Sequence, residues 1–218
     1  SFAFRTAAGT ARAAEDFAAA EGRRSFPAGS PDGARAEIAV ALVDDARHET
    51  DERFAIELHD AVGLGLEGVR LEVEVRDDDP PPSINVLPTR VPEGHTGTIP
   101  AVLTLALSAA SGLDAVVRWA TANGSAVAWS DYVPASGTVT VPAGQTAATL
   151  SVTVRGDTAL EPDETFDVVF SAPEHATLAV ERASVTIAAD DWPRVSRCSR
   201  ARGRPLSPGS SRATPRSR

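Results

Sequence analysis

Leu150-Ser151-Val152-Thr153-Val154-Arg155-Gly156-Asp157-Thr158-Ala159-Leu160-Glu161-Pro162-Asp163-Glu164-Thr165-Phe166 carries the reading of the fold in one line. Leu150, Val152 and Val154 alternate with Ser151, Thr153 and Arg155. That period of two belongs to a strand with one buried face. The strand runs out into acids, Asp157, Glu161, Asp163 and Glu164, and Phe166 opens the next apolar stretch. Ile38, Val40 and Leu42, followed by Glu49, Glu52 and Phe54, write the same line 112 residues earlier.

The repetition extends outward in both directions. Phe4-Arg5-Thr6-Ala7-Ala8-Gly9-Thr10-Ala11 matches Trp119-Ala120-Thr121-Ala122-Asn123-Gly124-Ser125-Ala126 at an offset of 115. Asp16-Phe17 matches Asp131-Tyr132, and Pro27-Ala28-Gly29 matches Pro142-Ala143-Gly144, at that same offset. One short insertion near Ser30-Pro31-Asp32-Gly33 accounts for the change to 112. The unit is about 110 residues, the size of an immunoglobulin-like sandwich. The expected organisation is a partial repeat over 1–79, a stiff Pro80-Pro81-Pro82 linker, a complete repeat over 83–191, and a disordered basic tail over 192–218. The first repeat falls short of its partner by roughly 30 residues at its start. Its beginning, Ser1-Phe2-Ala3-Phe4, is read as a cut through a domain.

Within the second repeat, Leu103, Leu105 and Leu107, then Val139 and Val141, then Val185 and Ile187, repeat the alternation. Pro92-Glu93-Gly94, Asn123-Gly124 and Pro142-Ala143-Gly144 punctuate it. About seven short strands without a helical stretch predict an all-β, antiparallel sandwich. The Ala-rich segment from Thr10 to Gly22 is expected to be loop, because its match in the second repeat is one. Phe4 and Trp119 are expected in the cores.

The charge is uneven. All 30 acids precede residue 192, against 13 of the 21 basic residues, every one of them Arg, which leaves −17 on the repeats. Such a field repels nucleic acid and attracts cations. Eight Arg and no acid follow. No apolar run reaches the roughly 18 residues of a membrane span, and the one cysteine, Cys198, excludes an internal disulfide framework.

The acids gather at strand ends. In the first repeat they are Asp16, then Asp44, Asp45, Glu49 and Glu52, then Asp77, Asp78 and Asp79. In the second they are Glu93, Asp131, then Asp157, Glu161 and Glu164 with Asp163, then Asp190 and Asp191. Antiparallel topology brings the end of one strand, the start of the next and the end of the last to one edge of the sandwich. Like charges 4 Å apart cost about 4 kcal/mol at an effective dielectric of 20, so a counter-ion is required. Nearby Arg is scarce: Arg47 and Arg53 in one repeat, Arg155 in the other. Hard cations with oxygen ligands answer the need, and flexible carboxylate loops favour Ca2+ over Mg2+.

These residues resemble the Calx-β repeat family, known from sodium/calcium exchangers, integrin β4 and bacterial surface proteins. The resemblance rests on Thr-x-x-Gly-Thr/Ser-Ala, Asp-Phe/Tyr, Pro-Ala-Gly, Glu-x-x-Glu-x-Phe and the closing aspartates, over residues 1–191. It implies a Greek-key sandwich with calcium at one end. It implies as ligands Asp16, Asp44, Asp45, Glu49, Glu52, Asp77, Asp78 and Asp79 in the first repeat. In the second it implies Glu93, Asp131, Asp157, Glu161, Glu164, Asp190 and Asp191. Gly156 and Ala189 break the pattern there, which predicts fewer or weaker ions.

The resulting expectation is a non-enzymatic, calcium-binding structural or adhesive module of a larger extracellular or cell-surface protein. Calcium, the neighbouring repeats and other surface proteins or glycans are its expected partners, with no nucleic acid and no membrane span. The alternatives are a calcium-independent spacer or adhesion sandwich, and a non-catalytic arm of a secreted enzyme. His48, His59, His95 and His175 occur singly and are read as surface residues; no Gly-x-Ser-x-Gly occurs. Paired carboxylates also serve glycoside hydrolysis, but no substrate cleft is indicated. Asn123-Gly124-Ser125 is read as a turn rather than a glycosylation site.

Overall fold

The computed structural model describes residues 1–65 and 68–191, so the expectation for the basic tail lies outside the described residues. Alternating strands dictate the architecture, and no helix occurs among the described residues. The first repeat contributes β1 (Phe2–Ala8), β2 (Glu21–Arg24), β3 (Glu52–His59) and β4 (Arg70–Val75). They form one antiparallel sheet in the order β2-β1-β3-β4.

The second repeat contributes β5 (Ser83–Val86), β6 (Thr89–Pro92), β7 (Gly97–Leu107), β8 (Ala115–Asn123) and β9 (Ser136–Val141). Then come β10 (Ala147–Gly156), β11 (Glu164–Glu174), β12 (Thr177–Leu178) and β13 (Arg182–Ala188). Two sheets result, β10-β7-β5-β12 and β6-β13-β11-β8-β9. Their inward residues form one core: Leu103, Leu105, Val117, Val141, Val152, Val154, Phe166, Val168 and Val185 are all fully buried. Burial alternates along β10 as the sequence does, with Leu150, Val152 and Val154 inside and Ser151, Thr153 and Arg155 outside.

The internal repeat is visible in the pairing. Phe54 of β3 faces Ala8 of β1, and its counterpart Phe166 of β11 faces Asn123 of β8. The rings stack alike, Phe17 on Phe54 at 4.3 Å and Tyr132 on Phe166 at 4.2 Å. The segment Thr10–Gly22 is loop up to β2, as expected, and Ala14 and Trp129 hold the same φ of 73° at matching positions. Gly9 and Gly124 match too. A Cβ would lie 2.3 Å from the Arg53 carbonyl oxygen at the first and 2.4 Å from that of Thr165 at the second. Only glycine allows the loop to approach the next strand so closely. Phe4 is buried, and Trp119 packs partly buried against the second core.

Three expectations are refined. The strand count of the second repeat is nine rather than about seven, because its first strand splits between the sheets as β5 and β6 and the two-residue β12 is added. The pairing is not wholly antiparallel: β6 runs parallel to β13, and β5 parallel to β12. The stretch Ile38–Leu42 is not a strand; a single bridge joins Leu42 to Phe17. Its counterpart β10 pairs with β7 over ten residues, and among the described residues of 1–79 no strand plays the part of β7. Alternation without a partner leaves extended chain, with Leu42 57% exposed where Val154 is 0% exposed.

Candidate metal centre

Three local devices aim the acids at one end of each repeat. The first is an aspartate turn: Asp16 Oδ2 accepts from Arg12 N, and Asp131 Oδ2 from Val127 N, both at 2.6 Å. The second fixes the start of the strand after the acidic loop: Thr10 Oγ1 accepts from Arg53 N, and Ser125 Oγ from Thr165 N, both at 2.9 Å. The third ties the closing acids to that loop: Asp51 Oδ1 accepts from Asp77 N, and Asp163 Oδ1 from Ala189 N, both at 3.1 Å. Asp51 was absent from the expected site although it matches Asp163 in the repeat. Its role is to hold the closing segment rather than to face an ion, and the shared offset was the signal for it.

All eight carboxylates expected in the first repeat line one concavity: Asp16, Asp44, Asp45, Glu49, Glu52, Asp77, Asp78 and Asp79. The tightest group is Asp16, Glu49 and Glu52, each offering an oxygen within 4.8 Å of the others. The second repeat builds the same group from Asp131, Glu161 and Glu164. Glu93, Asp157, Asp190 and Asp191 all bear electrostatically on it or on one another. A further group, His95 with Asp190 and Asp191, lies in the second repeat.

The electrostatics show what crowding costs. Burial, then the hydrogen bond and charge of Asp16, push Glu52 up to about 7. Burial, then Asp131, push Glu164 up to about 7. Burial, then Asp157, Glu161, Asp191 and Asp190, push Glu93 up to about 7. Glu49, Asp79 and Glu161 are raised for the same two reasons, burial first and neighbouring carboxylates second. Glu93 is 5% exposed. Asp191 Oδ2 is shielded from solvent and has no partner among the described residues. A buried oxygen without a partner, set among other carboxylates, fits a hard cation with oxygen ligands. The Arg residues do not fill that role. Arg53 pairs with Glu74, Arg90 with the outlying Asp163, and Arg47 approaches Glu49 only at 3.9 Å.

Gly156, the break in the ligand pattern, has a steric cause. A Cβ there would lie 2.2 Å from the Gly94 carbonyl oxygen and 2.7 Å from that of Glu93. The segment that delivers Glu93 therefore leaves no room for a side chain at the position that matches Asp44.

His48 departs from the surface reading. Its Nδ1 lies 3.0 Å from Asp77 Oδ2 and 3.1 Å from the Asp79 carbonyl oxygen. Its own carbonyl accepts from Gly112 N at 3.0 Å and from the buried Ser111 Oγ at 3.1 Å. The acidic loop of the first repeat thus rests on the β7–β8 loop of the second, and a Cβ on Gly112 would lie 2.4 Å from Glu49 Oε1. Asn123 is committed to its turn, its Oδ1 accepting from Tyr132 OH at 2.5 Å and Ala128 N at 3.1 Å.

Sandwich strands with a carboxylate-lined end, built twice in one chain, define a tandem all-β module with acidic end-sites. The Calx-beta domain model matches residues 1–79 and again 77–191, and the chain belongs to that family. Among solved structures, the apo-form Calx CBD1 domain is 25% identical, with a TM-score of 0.41, over 50% of this chain and 99% of that one. CBD12 from CALX1.2 is 20% identical over 85% and 86%, with a TM-score of 0.44. The calcium binding domain CBD12 of CALX1.1 is 22% identical over 83% and 69%, with a TM-score of 0.38. Comparison with curated protein sequences gives no match.

Proposed function

We propose that this chain is a calcium-binding, non-catalytic module of a larger extracellular or cell-surface protein, in which calcium neutralises the acidic ends and stiffens the joint between repeats. The observation that carries it is the convergence of Asp16, Glu49 and Glu52, repeated as Asp131, Glu161 and Glu164, with Glu52 and Glu164 pushed up to about 7 by burial and then by the neighbouring carboxylates. A dication replaces the shared protons and relieves the repulsion. In the first repeat, Asp44, Asp45, Asp77, Asp78 and Asp79 complete the oxygen set. In the second, Glu93 and Asp157 stand nearest the trio, so that end holds the thinner set.

Stiffening follows from where the first site sits. Its loop contributes Glu49 to the ion and the adjacent His48 carbonyl to the second repeat, and Asp79 immediately precedes the three prolines. Fixing the loop fixes both contacts. Isothermal titration of the full chain with calcium at pH 7.5 tests the reading. The expected result is binding with proton release, lost in part by Glu49→Gln/Glu52→Gln and in part by Glu161→Gln/Glu164→Gln. No heat in any buffer, or heat indifferent to all four substitutions, contradicts it.

A further inference from the structure

Among the described residues the repeats meet end to end, and one end of each kind is left uncovered. Strands β1, β3 and β4 bring Ala8, Glu52 and Val75 to the acidic end of the first repeat, and Phe2, His59 and Arg70 to its far end. The acidic end is covered by the second repeat. Ser111 Oγ and Gly112 N donate to the His48 carbonyl, and Ala14 and Glu49 line one concavity with Leu113, Ala143 and Gly144. Those covering loops lie where β7 ends and where β8 and β10 begin, opposite the acids of the second repeat.

The internal repeat says what stands at the two uncovered ends. Arg12, Ala14 and His48 at the covered acidic end correspond to Val127, Trp129 and Leu160 in the second repeat. There these three are 49%, 66% and 65% exposed. Trp129 stands two residues before Asp131, and Leu160 directly before Glu161, so apolar side chains frame the acidic trio. The loop that carries Trp129 is fixed: its N donates to the Tyr132 carbonyl at 2.8 Å, and the Arg155 guanidinium donates to its carbonyl. At the other end of the chain, Ala28-Gly29 corresponds to Ala143-Gly144, which lies against the first repeat. A concavity there is lined by Phe26, Pro27, Ala28, Val62 and Leu64, and Val62 is 68% exposed.

We propose that a second copy of this chain joins the two free ends, with Trp129 and Leu160 of one copy seated on the Phe26–Ala28 and Val62 end of the next. The joint continues the contact already made inside the chain: an acidic end meets the far end of a neighbouring repeat. Apolar side chains replace Arg12, Ala14 and His48 there, so burial of a tryptophan and a leucine drives it. The two faces differ, so the contact is heterologous and does not close, and copies add end to end. One sandwich end is small, which puts each joint in the weak class that buries less than about 1,200 Å². The contact needs no ion, so it stands apart from the calcium reading.

The test is sedimentation equilibrium of the full chain over a wide concentration range, in chelator and at physiological ionic strength, where surface repulsion is screened. The average mass of the wild type is expected to climb past that of a dimer as concentration rises. Trp129→Asn/Leu160→Gln removes one face and is expected to hold the chain at the monomer mass. Val62→Gln/Leu64→Gln removes the other face and does the same. An equimolar mixture of the two variants keeps one intact face on each partner, so it forms dimers and stops there, which a misfolded variant could not do. A wild type that stays monomeric overturns the inference, whatever else then covers Trp129. A wild type that stops at a dimer, association indifferent to both pairs of substitutions, or a mixture that stays monomeric also overturns it. Loss of calcium binding with end-to-end association retained contradicts the proposed function and leaves this joint standing.

Discussion

At the scale of single residues, the most strongly crowded glutamates of the two acidic ends set the pH response. Glu52, Glu93 and Glu164 bind protons more tightly folded than unfolded, their values lying near 7 instead of 4.5. Between those values the folded state holds more protons, so stability of the calcium-free chain falls as pH rises. Thermal unfolding in chelator is expected to give a higher midpoint at pH 5 than at pH 7.5, with the loss levelling off above 7. Calcium reverses the order, since deprotonated carboxylates bind it. Glu164→Gln separates the two effects: it stabilises the calcium-free chain at pH 7.5 by removing repulsion and destabilises the calcium-loaded one. Gly124→Ala works through backbone. Its Cβ has nowhere to go beside the Thr165 carbonyl, so a loss of about 1–3 kcal/mol in denaturant unfolding is expected.

At the scale of elements, legibility in the sequence followed local pattern. The strands β7, β9, β10 and β13 were readable because alternation and pairing agree there. Ile38–Leu42 had the same alternation and failed, because pairing needs a partner that no local pattern supplies. The split of β5 from β6 also escaped reading. It depends on the chain crossing between sheets after Val86, which composition does not encode. The gathering of acids at one end was legible because the repeat placed most of them at a strand end twice over. His48 and His95 were not: His48 is matched by Leu160, His95 precedes the stretch that the two repeats share, and their contacts are made across the fold. The aromatic stacks beneath the acids are the elements' common anchor. Phe166→Ala removes a fully buried ring facing Tyr132 and is expected to cost about 3–5 kcal/mol. Circular dichroism through a urea titration measures it.

At the scale of the whole molecule, the two repeats meet where the first acidic loop touches the second repeat. Gly112→Ala pushes against the Glu49 carboxylate while leaving the core alone. It is expected to weaken calcium binding at the first repeat and to broaden the distribution of inter-repeat distances seen by small-angle scattering. The central claim remains that the paired acidic ends are calcium sites. The most direct measurement is the melting temperature of the full chain at pH 7.5 as calcium is raised, with equimolar magnesium as control. At 100 times its dissociation constant, calcium adds about 2.7 kcal/mol per site, a shift of roughly 5–10 °C for a chain of this size. The account predicts that rise, smaller in magnesium and reduced in Glu161→Gln/Glu164→Gln. A melting temperature indifferent to calcium at millimolar concentration contradicts it.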